Sequence, residues 1–342
     1  MADRELAGSA ANTSTVSSLK LGSVLNNRFE IVRSVPSKNG NIFVVRRLTA
    51  PRQGEMAMLK LLSQNFLGED QRTITTRFQH EIVAALSVKH PNVTRIEEPI
   101  KHGRLFGYVY EYVEGKTLAE ILKQQKLSVA KVTIYLAQLC NGLSAIHKAG
   151  IVHRGLKPQN ILVTASDHLK ILNFALAKLA DQKGLTQAGA VLGTPDYIAP
   201  EYVTEGSVDK RIDIYAVGVI AYEMVCGEIP FLKDDLVEMF SNRATQEPIP
   251  PNQINSLCPA ALSEIIVNAL RPDKNARYQS IDDMRQDLER MPGASKMLLP
   301  KAPSTSQASL RTFTGIRKRT PQVQTKVGVQ SPAQLRRRRK NK

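Results

Sequence analysis

The sequence has no tryptophan, and aromatic residues make up only 5% of its 342 positions. Its three cysteines, Cys140, Cys226 and Cys258, are far apart, odd in number and set in apolar surroundings. That pattern argues for buried thiols and against a disulfide framework or a zinc site. No apolar run approaches the roughly 18 residues that a membrane span requires; the longest candidate, residues 212–226, carries Asp213 and Glu223. No apolar segment of signal-peptide type follows Met1, so a cytoplasmic location and no transmembrane span are expected. Nothing repeats at a fixed period, which excludes solenoids and propellers. From Met291 to Lys342 there is no Asp or Glu at all.

That last absence locates the charge. The formal net charge is +16, from 47 Lys and Arg against 31 Asp and Glu, and 13 of the basic residues lie between Met291 and Lys342. Residues 1–290 carry only +3, so the body is nearly neutral and the tail is the basic part. The R-R-R-R-K-N-K ending suits a non-specific anionic partner, a nucleic acid or an anionic surface, as well as it suits a solvated, solubilising tail. Phe313 is the only aromatic after Tyr278, which argues against stacking recognition of single strands. Hydrophobic residues at 42% and charged residues at 23% are ordinary for a globular chain long enough for one large two-lobed domain or two smaller ones.

Residues 1–25 are rich in Ser, Thr, Ala and Asn and read as disordered, as do residues 293–342. Between them, strands are expected at 29–35, 42–48 and 56–62, a helix over 71–87 with Ile74, Phe78, Ile82 and Leu86 on one face, and strands near 93–97 and 105–112. After Gly115 the pattern turns helical. Ser128 is a good N-cap for a helix ended by Gly150, and residues 211–226, apolar nearly all round, read as a buried central helix stopped by Gly227. Shorter helices fit 236–242, 260–270 and 281–290.

Two apolar tripeptides, 161–163 and 169–171, flank the polar turn 164–168 and read as a hairpin. His153, Arg154, Lys157 and Asn160 precede it and Asn173 follows it, a basic, amide-rich pair of ends suited to a phosphorylated ligand.

The motif H-R-x-L-K-P-x-N at this hairpin, behind a strand-rich lobe and within a helical one, resembles the bacterial eukaryotic-like (Hanks-type) Ser/Thr protein kinases. The resemblance covers residues 26–292 and implies an α+β, two-lobed protein-kinase-like fold, with an N-lobe over 26–113 and a C-lobe over 114–292. Lys60 in A-M-L-K matches the strand lysine and Glu81 the helix glutamate that pairs with it. His153, Arg154, Lys157 and Asn160 match the catalytic loop, and Asn173-Phe174-Ala175 takes the place of D-F-G. Gly193-Thr194-Pro195 and Ala199-Pro200-Glu201 match the end of the activation segment. Asp213 matches the helix aspartate that orients the catalytic loop, and Arg277 the arginine that pairs with Glu201. The resemblance implies ATP and Mg²⁺ as cofactors, with Met58, Glu111 and Val113 around the adenine and Asn160 and Asn173 as metal ligands.

The sequence departs from that pattern where the chemistry is. Gly155 stands in place of the aspartate that orients the substrate hydroxyl and accepts its proton. Asn173 stands in place of the carboxylate metal ligand, leaving two neutral amides for a cation that prefers anionic oxygens. The glycine positions of the phosphate loop align with Pro36, Lys38 and Asn41, with Gly40 displaced beside them, and Met58 and Tyr110 add bulk around the purine slot.

Several residues admit two readings. Lys60 and Glu81 form either a phosphate-orienting pair or a structural salt bridge. Arg154 and Thr186 suit a phosphothreonine switch, though Thr186 is equally an unmodified loop residue. Three functions follow: a pseudokinase acting as a regulatory or scaffolding module for a protein partner such as an active kinase; a low-activity Ser/Thr kinase with an atypical mechanism; and an electrostatic tether through the basic tail. The first is the main expectation.

Overall fold

A computed structural model describes residues 16, 19–36, 41–61, 82–103, 105–172, 195–206, 208–233 and 235–293. The chain forms an antiparallel sheet lobe followed by a helical lobe. The sheet has six strands in the order β1-β2-β3-β4-β6-β5: β1 (Val24–Leu25), β2 (Phe29–Val35), β3 (Ile42–Arg47), β4 (Met56–Leu61), β5 (Ile96–His102) and β6 (Leu105–Glu111). Side chains alternate across it, as the period of a strand requires. In β4, Ala57, Leu59 and Leu61 enter a core shared with Leu25, Phe29, Ile31 and Val109. Met58 lies on the other face, beside Tyr108 and Tyr110 and continuous with the core of the helical lobe.

A second sheet of three strands, β7 (Lys116–Thr117), β8 (Ile161–Val163) and β9 (Leu169–Ile171), contains the expected hairpin. The helices are α1 (Leu118–Gln124), α2 (Val129–Lys148), α3 (Pro200–Thr204), α4 (Arg211–Cys226), α5 (Leu236–Thr245), α6 (Pro251–Ile254), α7 (Ala260–Ala269) and α8 (Ile281–Arg290). Local signals start and stop them: the Ser128 hydroxyl accepts from Lys131 N, Thr117 and Ser280 form capping boxes, and Gly227 ends α4 at φ 83°. α2 has the length and hydropathy of a membrane span, which reading the sequence for apolar runs passed over, but most of it is buried in the helical-lobe core. α4 is buried on nearly every side; Gly218 lets it approach α7, where an added Cβ would lie 3.0 Å from the Ala269 methyl.

The two lobes are joined by hydrogen bonds before the site is considered. Ile171 N donates to Asn92 O at 2.8 Å, and Thr94 N and Oγ1 both donate to Ile171 O at 3.0 and 2.9 Å. This pairing diverts residues 92–94, so β5 begins at Ile96 rather than at the expected position 93. The N-terminal boundary expected at residue 26 also shifts: β1 pairs with β2, Leu25 is fully buried, and Val16 and Leu19 pack on the sheet core. Of the helix expected over 71–87, residues 82–87 are described and helical. The basic stretch after residue 293 lies outside the described residues.

Deep in the helical lobe Arg277 grips Glu201 with two hydrogen bonds of 2.6 and 2.8 Å, and both residues are buried. Two further N–H groups donate to Arg271 O and Pro272 O, and its guanidinium lies 4.8 Å from the Tyr215 ring centre. Removing one partner strands a buried charge. Arg277→Met is expected to lower the unfolding free energy by about 3–5 kcal/mol in urea titrations, and adding Glu201→Leu to it to recover most of the loss.

Candidate functional site

The site is built on Asp213, in the first turn of α4 and 1% exposed. A carboxylate at that depth must be saturated with hydrogen bonds. Oδ1 accepts from Arg154 N at 2.8 Å, and Oδ2 accepts from His153 N at 2.7 Å and from His147 Nε2 at 2.9 Å. The first two bonds fold the loop 153–157 over the helix end, with Arg154 held at φ 57°, a backbone conformation uncommon outside glycine.

His153 is buried and bridges the loop to the hairpin. Its Nε2–H donates to Leu172 O at 2.9 Å while Nδ1 accepts from Gly155 N at 3.3 Å, a network that assigns the neutral tautomer. Burial pushes its pKa below the ordinary histidine value; the Asp213 charge opposes that shift and the Lys60 charge adds to it. The Asn160 amide closes the loop, Nδ2 donating to Gly155 O at 2.7 Å, and Leu172 N donates back to Asn160 O at 2.8 Å.

Gly155 itself is exposed, and nothing around it demands a glycine. An added Cβ would find its nearest neighbour, His153 O, 4.0 Å away. Gly107 differs: a Cβ there would lie 2.2 Å from Lys60 O, so β4 and β6 can pair beside Lys60 only with a glycine at that position. The loop is therefore formed and held around a position that has room for a side chain and carries none.

Across the cleft, the alternation of β4 puts Lys60 on the same strand face as Met58, and its charge reaches His153 in the opposite lobe. Burial pushes the Lys60 ammonium down to about 8. Met58 pairs in register with Val44 and Tyr110, and Tyr110 is 7% exposed, so the back of the cleft is filled by large side chains. The Glu111 carboxylate is engaged: it accepts from Lys170 Nζ at 2.6 Å and from Arg95 N at 2.8 Å. Val113, half-buried just beyond β6, has no hydrogen bond to a described residue through its N–H or C=O, which suits it to the edge of a purine.

These residues fit a nucleotide better than they fit a resident magnesium ion. Of the two expected metal ligands, Asn160 is a neutral amide whose nitrogen is committed to Gly155 O. Asn173 lies outside the described residues, as do Glu81 and Thr186, and its side chain is likewise a neutral amide. No group of three or more His, Cys, Asp or Glu side chains able to hold a metal occurs among the described residues.

Asn41, aligned with a phosphate-loop glycine, is instead part of the sheet: it is buried and its Nδ2 donates to Leu61 O. Sequence reasoning missed His147, the third donor to Asp213, and the half-buried Lys170–Glu111 pair that ties β6 to the hairpin. It also missed Arg243, wholly buried, which donates to the carbonyls of Pro195, Asp196 and Ile198 just ahead of Glu201. His147 alone left a trace, as the histidine six residues before His153 at the end of an apolar helix.

Comparison with known proteins gives a consistent result. A family model described as "Protein kinase domain" matches residues 39–288. A probable serine/threonine-protein kinase of Clostridium perfringens is 32% identical over 272 residues, 79% of this chain and 39% of that protein. The serine/threonine-protein kinase PknB of Mycobacterium leprae is 33% identical over 245 residues, 70% of this chain and 39% of that protein. The serine/threonine-protein kinase pkn3 of Myxococcus xanthus is 33% identical over 305 residues, 80% of this chain and 55% of that protein. The chain thus spans about two fifths of the length of the first two relatives.

The depressed Lys60 pKa carries a sign. Between about 8 and the ordinary lysine value of 10.5, the unfolded chain binds a proton that the folded chain does not, so stability rises with pH across that interval; below it the charged group lowers stability by an amount that no longer changes with pH. Denaturant titrations from pH 7 to 10.5 are expected to show this rise, and Lys60→Met to remove that part of it.

Proposed function

The chain belongs to the protein kinase family, with bacterial serine/threonine-protein kinases among its relatives, and from that premise we propose that it binds ATP in the inter-lobe cleft and transfers the γ-phosphoryl slowly to Ser or Thr hydroxyls of a protein. The observation that carries this reading is the catalytic loop. Asp213 accepts two of its backbone N–H groups and Asn160 closes it onto Gly155 O, so the loop has an ordered shape although it lacks the residue that would act as base. Phosphoryl transfer passes through a loose transition state in which positioning and electrostatics do most of the work. Loss of a general base typically costs about 10² to 10⁴ in rate, which slows transfer without abolishing it. In this reading Lys60 and Lys157 hold the phosphates, Asn160 keeps the loop closed, and the substrate hydroxyl loses its proton to solvent or to the transferred group. Magnesium, where present, rides mainly on the nucleotide's own oxygens.

A second reading is favoured by one specific observation: Gly155 offers no side chain at all, and no acidic residue lies between His153 and Thr164 to replace it. On that reading the domain is a pseudokinase, a regulatory or scaffolding module whose shape is read by another protein such as an active kinase.

The two separate in one assay. With labelled ATP and a protein acceptor, the kinase reading expects slow transfer that Lys60→Met abolishes. Gly155→Asp, for which there is room, is expected to raise the rate by about 10² to 10⁴. Transfer no faster than Lys60→Met in both the natural chain and Gly155→Asp leaves the scaffolding reading.

A further inference from the structure

Resting on the reading that the inter-lobe cleft binds ATP, we propose that Lys170 is a positioning residue for the nucleotide base, holding the linker between the lobes through its ion pair with Glu111. The chain passes from the six-stranded sheet to the three-stranded one through residues 112–115, between β6 and β7. None of these four residues has a backbone hydrogen bond to a described residue. Groups left open in this way suit the edge of a purine, but they do not fix their own place. The scaffold at the two ends of the linker must do so.

Both ends are tied to the same hairpin. Downstream, Lys116 and Thr117 pair with Val163 and Leu162, and Gly115 passes so close that an added Cβ would lie 2.4 Å from Val163 O. Upstream, Glu111 N donates to Arg95 O at 3.0 Å, and its Oε1 accepts from Arg95 N at 2.8 Å and from Lys170 Nζ at 2.6 Å. Lys170 lies opposite Leu162 in the register of β8 and β9, so one rung of the sheet runs from Thr117 through Leu162 to Lys170. The same strand reaches the catalytic loop. Two residues past Lys170, Leu172 N donates to Asn160 O at 2.8 Å and Leu172 O accepts from His153 Nε2 at 2.9 Å. A bound nucleotide thus has one frame of reference, with Lys170 setting its base end and Leu172 its phosphate end.

The clamp between the lobes does not depend on Lys170. Asn92 and Thr94 bond to the backbone of Leu169 and Ile171. Removing the Lys170 ammonium leaves those bonds in place and releases one side of Glu111. The two side chains are 16% and 22% exposed, so water screens the pair only in part. Its loss falls on the linker: a linker no longer held in place has to be ordered by the nucleotide, and binding weakens by that cost.

The test is calorimetric titration of the full chain with ATP, with adenosine and with inorganic tripolyphosphate in one buffer. Adenosine is uncharged, so its binding is not that of the basic carboxyl-terminal stretch. Lys170→Met is expected to weaken ATP and adenosine alike, by roughly threefold to tenfold, and to leave tripolyphosphate unchanged. Glu111→Gln is expected to act similarly, and the double variant to lose no more than either single one, because both remove the same ion pair. Lys170→Arg keeps the pair and is expected to recover most of the affinity. A purely structural role gives a different pattern, in which Lys170→Met weakens all three ligands together and lowers the melting temperature of the unliganded chain. That pattern overturns the proposal. The reading of the cleft fails separately: a natural chain that binds ATP no more tightly than tripolyphosphate, or not at all, has no base site and overturns both. A natural chain that prefers ATP, with a preference that Lys170→Met does not reduce, overturns the proposal alone.

Discussion

The buried carboxylate of Asp213 is the constraint on which the site depends. A charge at that depth costs several kcal/mol unless hydrogen bonds replace water, and here three donors converge on it. Two of them are consecutive backbone N–H groups, which cannot both point at one carboxylate unless the loop takes the turn it does, with Arg154 in the left-handed region. Backbone in such a region typically costs about 1–3 kcal/mol and persists because its surroundings over-determine it. The helix that supplies Asp213 is itself fixed, buried against α2 and α7, with Gly218 permitting the close approach to α7. The shape of the loop is therefore a property of the core of the helical lobe, and no side chain at position 155 is needed to produce it.

A second set of contacts sets the cleft. Thr94 and Asn92 bond to the hairpin, Asn92 Nδ2 reaching Leu169 O at 2.8 Å, and Lys170 pairs with Glu111 at the end of β6. These bonds tie one edge of the sheet to the strand that leads toward position 173, while strand alternation puts Lys60 on the face of β4 that Met58 shares. The cleft is thus set by period-two geometry in β4 and a hairpin clamped from behind, two features remote from each other in sequence.

That remoteness explains what could be read in advance. The hairpin, the Ser128 cap, α4 and α8 follow from local period and capping chemistry, and each occurs at its expected place. Lys60, Glu201, Asp213 and Arg277 were identified through motif resemblance; Arg277 pairs with Glu201, and Asp213 accepts from the loop backbone. Arg243 was illegible because L-V-E-M-F-S-N-R reads as an ordinary surface helix; its burial is decided by three carbonyls some 45 residues away, which no local pattern encodes. The same holds for Asn41, whose amide is satisfied by Leu61 O on the next strand, and for Glu111, whose carboxylate is claimed by Lys170 from the other lobe. The two-residue β1 is too short to leave a pattern at all.

The residues that match the family do not all carry the same information. Arg277, Glu201 and Asp213 are buried, the first two paired with each other and Asp213 satisfied by His147, His153 and Arg154, so stability alone accounts for their presence whatever the protein does. Gly155 is exposed and unhindered, so an aspartate there would contribute little to the fold and its absence costs little. Lys60 differs from both: burial disfavours its charged form, so its cost to the fold depends on what its ammonium meets, whereas Gly155 bears on the chemistry alone.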